Sequence, residues 1–111
     1  MNPVIRNTEQ FQDLINANKG VMVYFYSNFC APCLILRPKV ETMMETVFPL
    51  MKIVFINALF YPELAAEYGV FSSPSLLVYF EGKETIRESK NVSLDELQQK
   101  IERYYAMVFE I

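Results

Sequence analysis

The sequence predicts an α/β fold, with one central mixed sheet of about five strands and about four flanking helices, spanning residues 1–111 as a single domain. Three observations carry that expectation. Strand-like and helix-like patterns alternate through the first part of the chain, which implies parallel strands joined by helical crossovers. The run Val21-Met22-Val23-Tyr24-Phe25-Tyr26 is continuously apolar and rich in β-formers, as a central strand covered on both faces requires. A second such run, Ser75-Leu76-Leu77-Val78-Tyr79-Phe80, is followed by Glu81-Gly82-Lys83 and residues 84–88. That is a strand, a tight turn and a strand, so antiparallel members join the sheet.

Taken in order, residues 3–6 are expected as a short first strand. Asn7-Thr8-Glu9-Gln10 opens a helix with Asn7 or Thr8 as its cap, because a side-chain oxygen there meets the first unpaired N–H groups. Phe11, Leu14 and Ile15 give that helix an apolar stripe, and Lys19-Gly20 ends it. Beyond the strand 21–26, the residues Leu36, Val40, Met43, Met44, Val47 and Phe48 form the stripe of a second helix, with Glu41 and Glu45 opposite. Pro38 is expected to interrupt and kink it, since proline has no N–H and crowds the preceding turn. Residues 52–57 read as the next strand and 62–68 as a short helix stopped by Gly69. After the hairpin, Ser93-Leu94-Asp95-Glu96 has the capping-box pattern. It opens a last helix whose face is Leu94, Leu97, Ile101, Tyr104 or Tyr105, and Val108. No repeat, linker or low-complexity tract intervenes.

Composition excludes several function classes. Just over half of the residues are hydrophobic and 21% are charged, so the chain is globular rather than disordered. The formal charge is −3 and the basic residues are scattered, which argues against nucleic acid and against a membrane surface as partners. The apolar stretch 47–61 is broken by Pro49, Lys52 and Asn57 and does not read as a membrane span. The chain has no histidine, so the usual metal ligand and the usual general base are both missing. Met1-Asn2-Pro3-Val4-Ile5-Arg6 shows no export signal, and the expected location is therefore the reducing cytoplasm.

The only two cysteines stand in Ser27-Asn28-Phe29-Cys30-Ala31-Pro32-Cys33, between the apolar strand and the second helix. A helix N-terminus offers unpaired N–H groups and partial positive charge, which stabilise a thiolate. Cys30, just before the helix, is placed for that stabilisation and for solvent access. Cys33, nearly one turn later on the same side, is expected to be more buried. Pro32 in the first turn loses no needed hydrogen bond. The spacing favours redox chemistry in which Cys30 attacks a disulfide and Cys33 resolves the mixed disulfide. Three alternatives remain open at this level: a structural disulfide, half of a zinc or copper site completed by another subunit, or two buried apolar residues.

The segment resembles the active site of the thioredoxin family, Trp-Cys-Gly-Pro-Cys, written here as Phe29-Cys30-Ala31-Pro32-Cys33. Other positions carry the same resemblance: Pro38, Glu63-Leu64-Ala65-Ala66-Glu67-Tyr68-Gly69-Val70, Ser73-Pro74-Ser75 and Gly82-Lys83, in register from about residue 21 to 97. It implies the thioredoxin fold and a thiol–disulfide oxidoreductase, a protein-disulfide reductase in cell redox homeostasis. It implies no bound cofactor beyond a redox-active Cys30–Cys33 disulfide, with disulfide-containing proteins as substrates and electrons supplied by an NADPH-dependent reductase. It also implies a cis peptide bond before Pro74, facing the cysteines, and a Ser73 backbone that receives an extended substrate strand.

The chain departs from the family pattern at informative places. Tyr24 stands where thioredoxins usually carry a buried Asp that manages the proton of the second cysteine, and Phe55 where they often carry its Lys partner. A phenol is a poor base at neutral pH, so Cys33 is expected to be deprotonated slowly. Phe29 replaces the family Trp, Ala31 the Gly, and Lys90 a groove-lining Gly. Leu59 takes a position that is usually acidic, followed by Phe60 and Tyr61. Exposed around Cys30, the residues Phe29, Leu59, Phe60 and Phe71 would form an apolar rim for a partner or for weak dimerisation of an otherwise monomeric protein. The second expected class is accordingly a thioredoxin-fold binding or chaperone-like module. Metal delivery between subunits is a third.

Overall fold

The computed structural model describes residues 4–111. The elements run α1 (Thr8–Ala17), β1 (Gly20–Tyr26), α2 (Ala31–Val47), β2 (Lys52–Asn57), α3 (Pro62–Glu67), β3 (Ser75–Phe80), β4 (Lys83–Ser89) and α4 (Leu94–Phe109). The sheet order is β2-β1-β3-β4. β1 pairs in parallel with β2 and antiparallel with β3, and β3 pairs antiparallel with β4. The continuously apolar strand is thus central, and it feeds directly into the cysteine loop.

Side-chain alternation along the strands splits the core into two layers. Met22 and Tyr24 of β1 and Leu76, Val78 and Phe80 of β3 face α2 and α4, where they meet Val40, Met44, Leu97 and Ile101. Val21, Val23 and Phe25 face the other way, onto Phe11 and Ile15 of α1 and Leu64 and Ala65 of α3. This parity places Tyr24 behind the start of α2, on the layer that also contains Cys30 and Cys33.

Helix ends follow local chemistry. Asn7 caps α1, its side chain accepting the Gln10 N–H at 2.9 Å. Ser93 caps α4 by accepting the Glu96 N–H at 3.3 Å. Within α4, Tyr105 is the buried member of the tyrosine pair, while Tyr104 lies at the surface. The β3–β4 turn places Glu81 at φ 53° and Gly82 at φ 81°, the left-handed pair that a two-residue hairpin loop needs.

Four expectations are corrected. The described sheet has four strands, not five. Residues 4–6 make no strand, because the Arg6 N–H donates to Gln10 Oε1 at 2.8 Å and ties this segment to α1. Pro3, where that strand was expected to begin, lies outside the described residues. Val47, assigned to the apolar stripe of α2, is 37% exposed at the end of the helix, while Phe48 beyond it carries the packing. Pro38 does not interrupt α2, which runs from Ala31 to Val47; the proline sits on its exposed side.

Candidate active site

α2 begins at Ala31 because Cys30, in extended conformation at φ −103° and ψ 92°, is its N-cap. The Cys33 N–H donates to Cys30 Sγ at 3.2 Å, so sulfur takes the place of the usual capping oxygen. Pro32 falls in the first turn, where its missing N–H is not needed. The two cysteines are joined as a disulfide with Cα atoms 5.3 Å apart. Reduction would leave Cys30 Sγ facing an N–H donor and the positive end of a helix, both of which favour its thiolate.

Both cysteines are largely covered, Cys30 7% and Cys33 3% exposed, but they open onto different sides. Cys30 lines an open groove together with Phe29, Leu59, Phe71 and Ser73. Cys33 lines a smaller hollow with Tyr26, Ser27, Asn28, Leu34 and Arg37. The Ser73–Pro74 peptide is cis. Pro74 is buried, and with Ala31, Pro32, Lys39, Lys90 and Val92 it lines a third hollow beside the groove. The cis-proline loop is held by the Ser75 hydroxyl donating to the Ser72 carbonyl at 2.7 Å and by the Lys90 N–H donating to the Pro74 carbonyl at 3.0 Å. The structure thus brings Ser73 and Pro74 against the cysteine loop.

Lys90 adopts φ 63°, a conformation that a Cβ disfavours. The Lys90→Gly variant keeps the backbone bond to Pro74 and removes that strain. We expect it to be more stable by up to about 1 kcal/mol and to melt a few degrees higher. A melting temperature equal to or below the parent's would show that the lysine side chain contributes more than the strain costs.

Behind the disulfide, Tyr24 is fully buried and its hydroxyl donates to the Cys33 carbonyl at 3.1 Å. Burial pushes its phenol up to about 12, against a smaller downward pull from the Arg37 guanidinium. It therefore keeps its proton at neutral pH. The ring lies 5.4 Å from that of Phe55. The guanidinium of Arg37 sits over the Phe55 ring, 3.8 Å from its centroid, and 5.5 Å from that of Tyr26. Its Nε is 3.3 Å from Glu41 Oε1. Sequence reasoning missed Arg37, although its position four residues after Cys33 on one helix was a usable signal.

The rim is exposed, but not as one ring. Phe29 is 91% and Phe71 84% exposed, and both border the Cys30 groove with the less exposed Leu59. Phe60 is also exposed, yet it lines a separate hollow with Phe55, Arg37 and Tyr61 rather than the groove. Tyr61 is half-buried against the α1/α3 layer. The cause is local: Asn57 Oδ1 accepts the Leu59 N–H at 3.0 Å, and Asn57 Nδ2 donates to Asn28 Oδ1 at 2.7 Å. Leu59 is thereby turned toward the cysteine loop and Phe60 away from it. Among the described residues, no three Cys, Asp or Glu side chains are arranged to hold a metal ion, and no helix is long and apolar enough to cross a membrane.

A cysteine pair closing the first turn of a helix, with a cis-proline loop set against it, defines a dithiol–disulfide exchange site. The thioredoxin family model matches residues 2–103, and the chain belongs to that family. Thioredoxin-like protein YdfQ of Bacillus subtilis is 30% identical over 96 residues, 86% of this chain and 85% of that protein. The thioredoxin of Pyropia yezoensis is 38% identical over 72 residues, 65% of this chain and 67% of that one. The X-ray structure of Fasciola hepatica thioredoxin superposes with a TM-score of 0.81 at 30% identity, covering 93% of this chain and 98% of that one. The protein is a thiol–disulfide oxidoreductase with a thioredoxin fold.

Proposed function

We propose that the protein reduces disulfides in other proteins, with Cys30 as attacking nucleophile and Cys33 as resolving cysteine. The observation that carries this reading is the Cys33 N–H held on Cys30 Sγ at the helix start, on the side that opens to the groove. In the first step the Cys30 thiolate attacks one sulfur of a substrate disulfide, and the other substrate sulfur leaves with the electron pair. In the second, the Cys33 thiolate attacks Cys30 Sγ, the mixed disulfide breaks, and the second substrate thiol is released. The Cys30–Cys33 disulfide that remains is the state of the structure. Ser73 and Pro74 would receive the substrate backbone, with Phe29, Leu59, Ala31 and Pro32 framing it. The reading extends to electron transport in the cytoplasm by a single domain, recharged by an NADPH-dependent reductase and needing no bound cofactor.

The exposure of Phe29 and Phe71 favours a second reading, a binding or chaperone-like module whose rim matters more than turnover. Insulin precipitation with dithiothreitol separates the two. We expect the parent to accelerate precipitation and Cys30→Ser to leave only the uncatalysed rate. Equal rates for the two would sink the enzymatic reading.

A further inference from the structure

Resolution requires Cys33 to give up its proton, and the groups that surround it decide how readily. Among the described residues no Asp, Glu, Lys or Arg is buried. From β1, Cys33 is faced by Tyr24, whose phenol stays protonated and donates to the Cys33 carbonyl, and by Tyr26 across the small hollow. From β2 comes Phe55, which has no charge. From α2 come Cys30, its partner in the disulfide, and Arg37, whose head pairs with Glu41. The loop before α2 adds only the neutral Ser27 and Asn28. Arg37 is thus the one charged residue lining the hollow that Cys33 opens onto, and its charge is partly offset by Glu41.

We propose that Arg37 is a positioning residue for the resolving step: held over Phe55, its guanidinium stabilises the Cys33 thiolate across the hollow that Arg37 and Cys33 share. Three features of the geometry support it. Cys33 and Arg37 are four residues apart on α2, so their side chains lie on one face. The guanidinium has two partners that orient it, the Phe55 ring at 3.8 Å and Glu41 at 3.3 Å. The hollow between them is open, which gives the departing Cys33 proton a path to water. The bond changes are those of the resolving step: the Cys33 proton goes to water, the Cys33–Cys30 bond forms, and the substrate thiolate leaves and is protonated by water.

The inference rests on Cys33 being the resolving cysteine, and its test reads that thiol directly. In a Cys30→Ser background, the pH dependence of Cys33 thiolate absorbance is compared with and without Arg37→Met, which keeps an apolar cover on Phe55. Losing the cation should move the midpoint alkaline by about one pH unit. Arg37→Lys should restore most of the shift, and Glu41→Gln should move the midpoint the other way. With both cysteines present, Arg37→Met should slow resolution at pH 7 about three-fold. The tenfold loss of thiolate is offset in part by the greater nucleophilicity of a more basic sulfur. Coincident titrations for Arg37→Met and its parent would overturn the proposal. If Arg37→Met does not fold, an unmoved midpoint in Glu41→Gln overturns it instead. Absent turnover with a shifted Cys33 titration would count against the reductase reading and leave the Arg37 assignment standing.

Discussion

Replacing Cys33 by serine is expected to convert the protein from a catalyst into a trap. Cys30 keeps its place as N-cap, since the Cys33 N–H that meets its sulfur is a backbone group and survives the substitution. The variant still attacks a substrate disulfide, but nothing inside the molecule displaces the mixed disulfide. With Cα atoms 5.3 Å apart, the native second thiol has the advantage of an intramolecular reactant. Effective molarities on the order of 10⁵ M or higher are reached by well-oriented pairs, against millimolar thiol in solution. Turnover should fall by a factor of about 100 or more, with a covalent adduct visible by mass spectrometry and released by excess dithiothreitol. Cys30→Ser should form no such adduct. An adduct on Cys30→Ser but not on Cys33→Ser would reverse the two roles.

The parts of this site that were legible in the sequence are those that depend on near neighbours. Cys30 and Cys33 sit between a strand and a helix within one short segment, so their relation to the helix N-terminus is a matter of local geometry. The burial of Tyr24 followed from a run of β-formers with no polar break, and strand parity then put it behind the dithiol. The cis bond at Pro74 is different. It was expected only because Ser73-Pro74-Ser75 resembles a family motif; nothing in the local residues demanded it.

What was not legible depends on contacts between elements. Arg37 reads in the sequence as one polar residue on a helix face. Its role appears only when β2 brings Phe55 beneath it. Leu59 and Phe60 are adjacent and both apolar, and no pattern says which one meets Cys30. Two hydrogen bonds from the Asn57 side chain decide that, one to its own loop and one to Asn28. That residues 4–6 make no strand has the same origin. A β-prone stretch before a helix pairs with a sheet only if its N–H groups are free, and Gln10 takes that of Arg6.

The substitution at the centre of the sheet sets up the second large effect. Tyr24→Asp would install a carboxylate behind Cys33, where the parent has a protonated phenol whose proton leaves only near pH 12. Resolution at pH 7 should become faster, because a carboxylate accepts the Cys33 proton where Tyr24 does not. The same change removes a fully buried ring that packs on Phe55 at 5.4 Å, and it puts a charge in its place. Truncating a core aromatic costs about 3–5 kcal/mol before the charge is counted, out of a total stability of about 5–15 kcal/mol for a domain. The variant should therefore be faster and much less stable, melting well below the parent. Tyr24→Phe is the control: it loses only the hydrogen bond to the Cys33 carbonyl, about 1 kcal/mol, and should resolve at the parent rate. Stopped-flow measurement of the resolving step in all three proteins decides the matter. A folded Tyr24→Asp that resolves no faster than the parent would refute the missing-base argument. A marked slowing in Tyr24→Phe would do the same from the other side, by showing that the phenol itself takes part in the proton's departure.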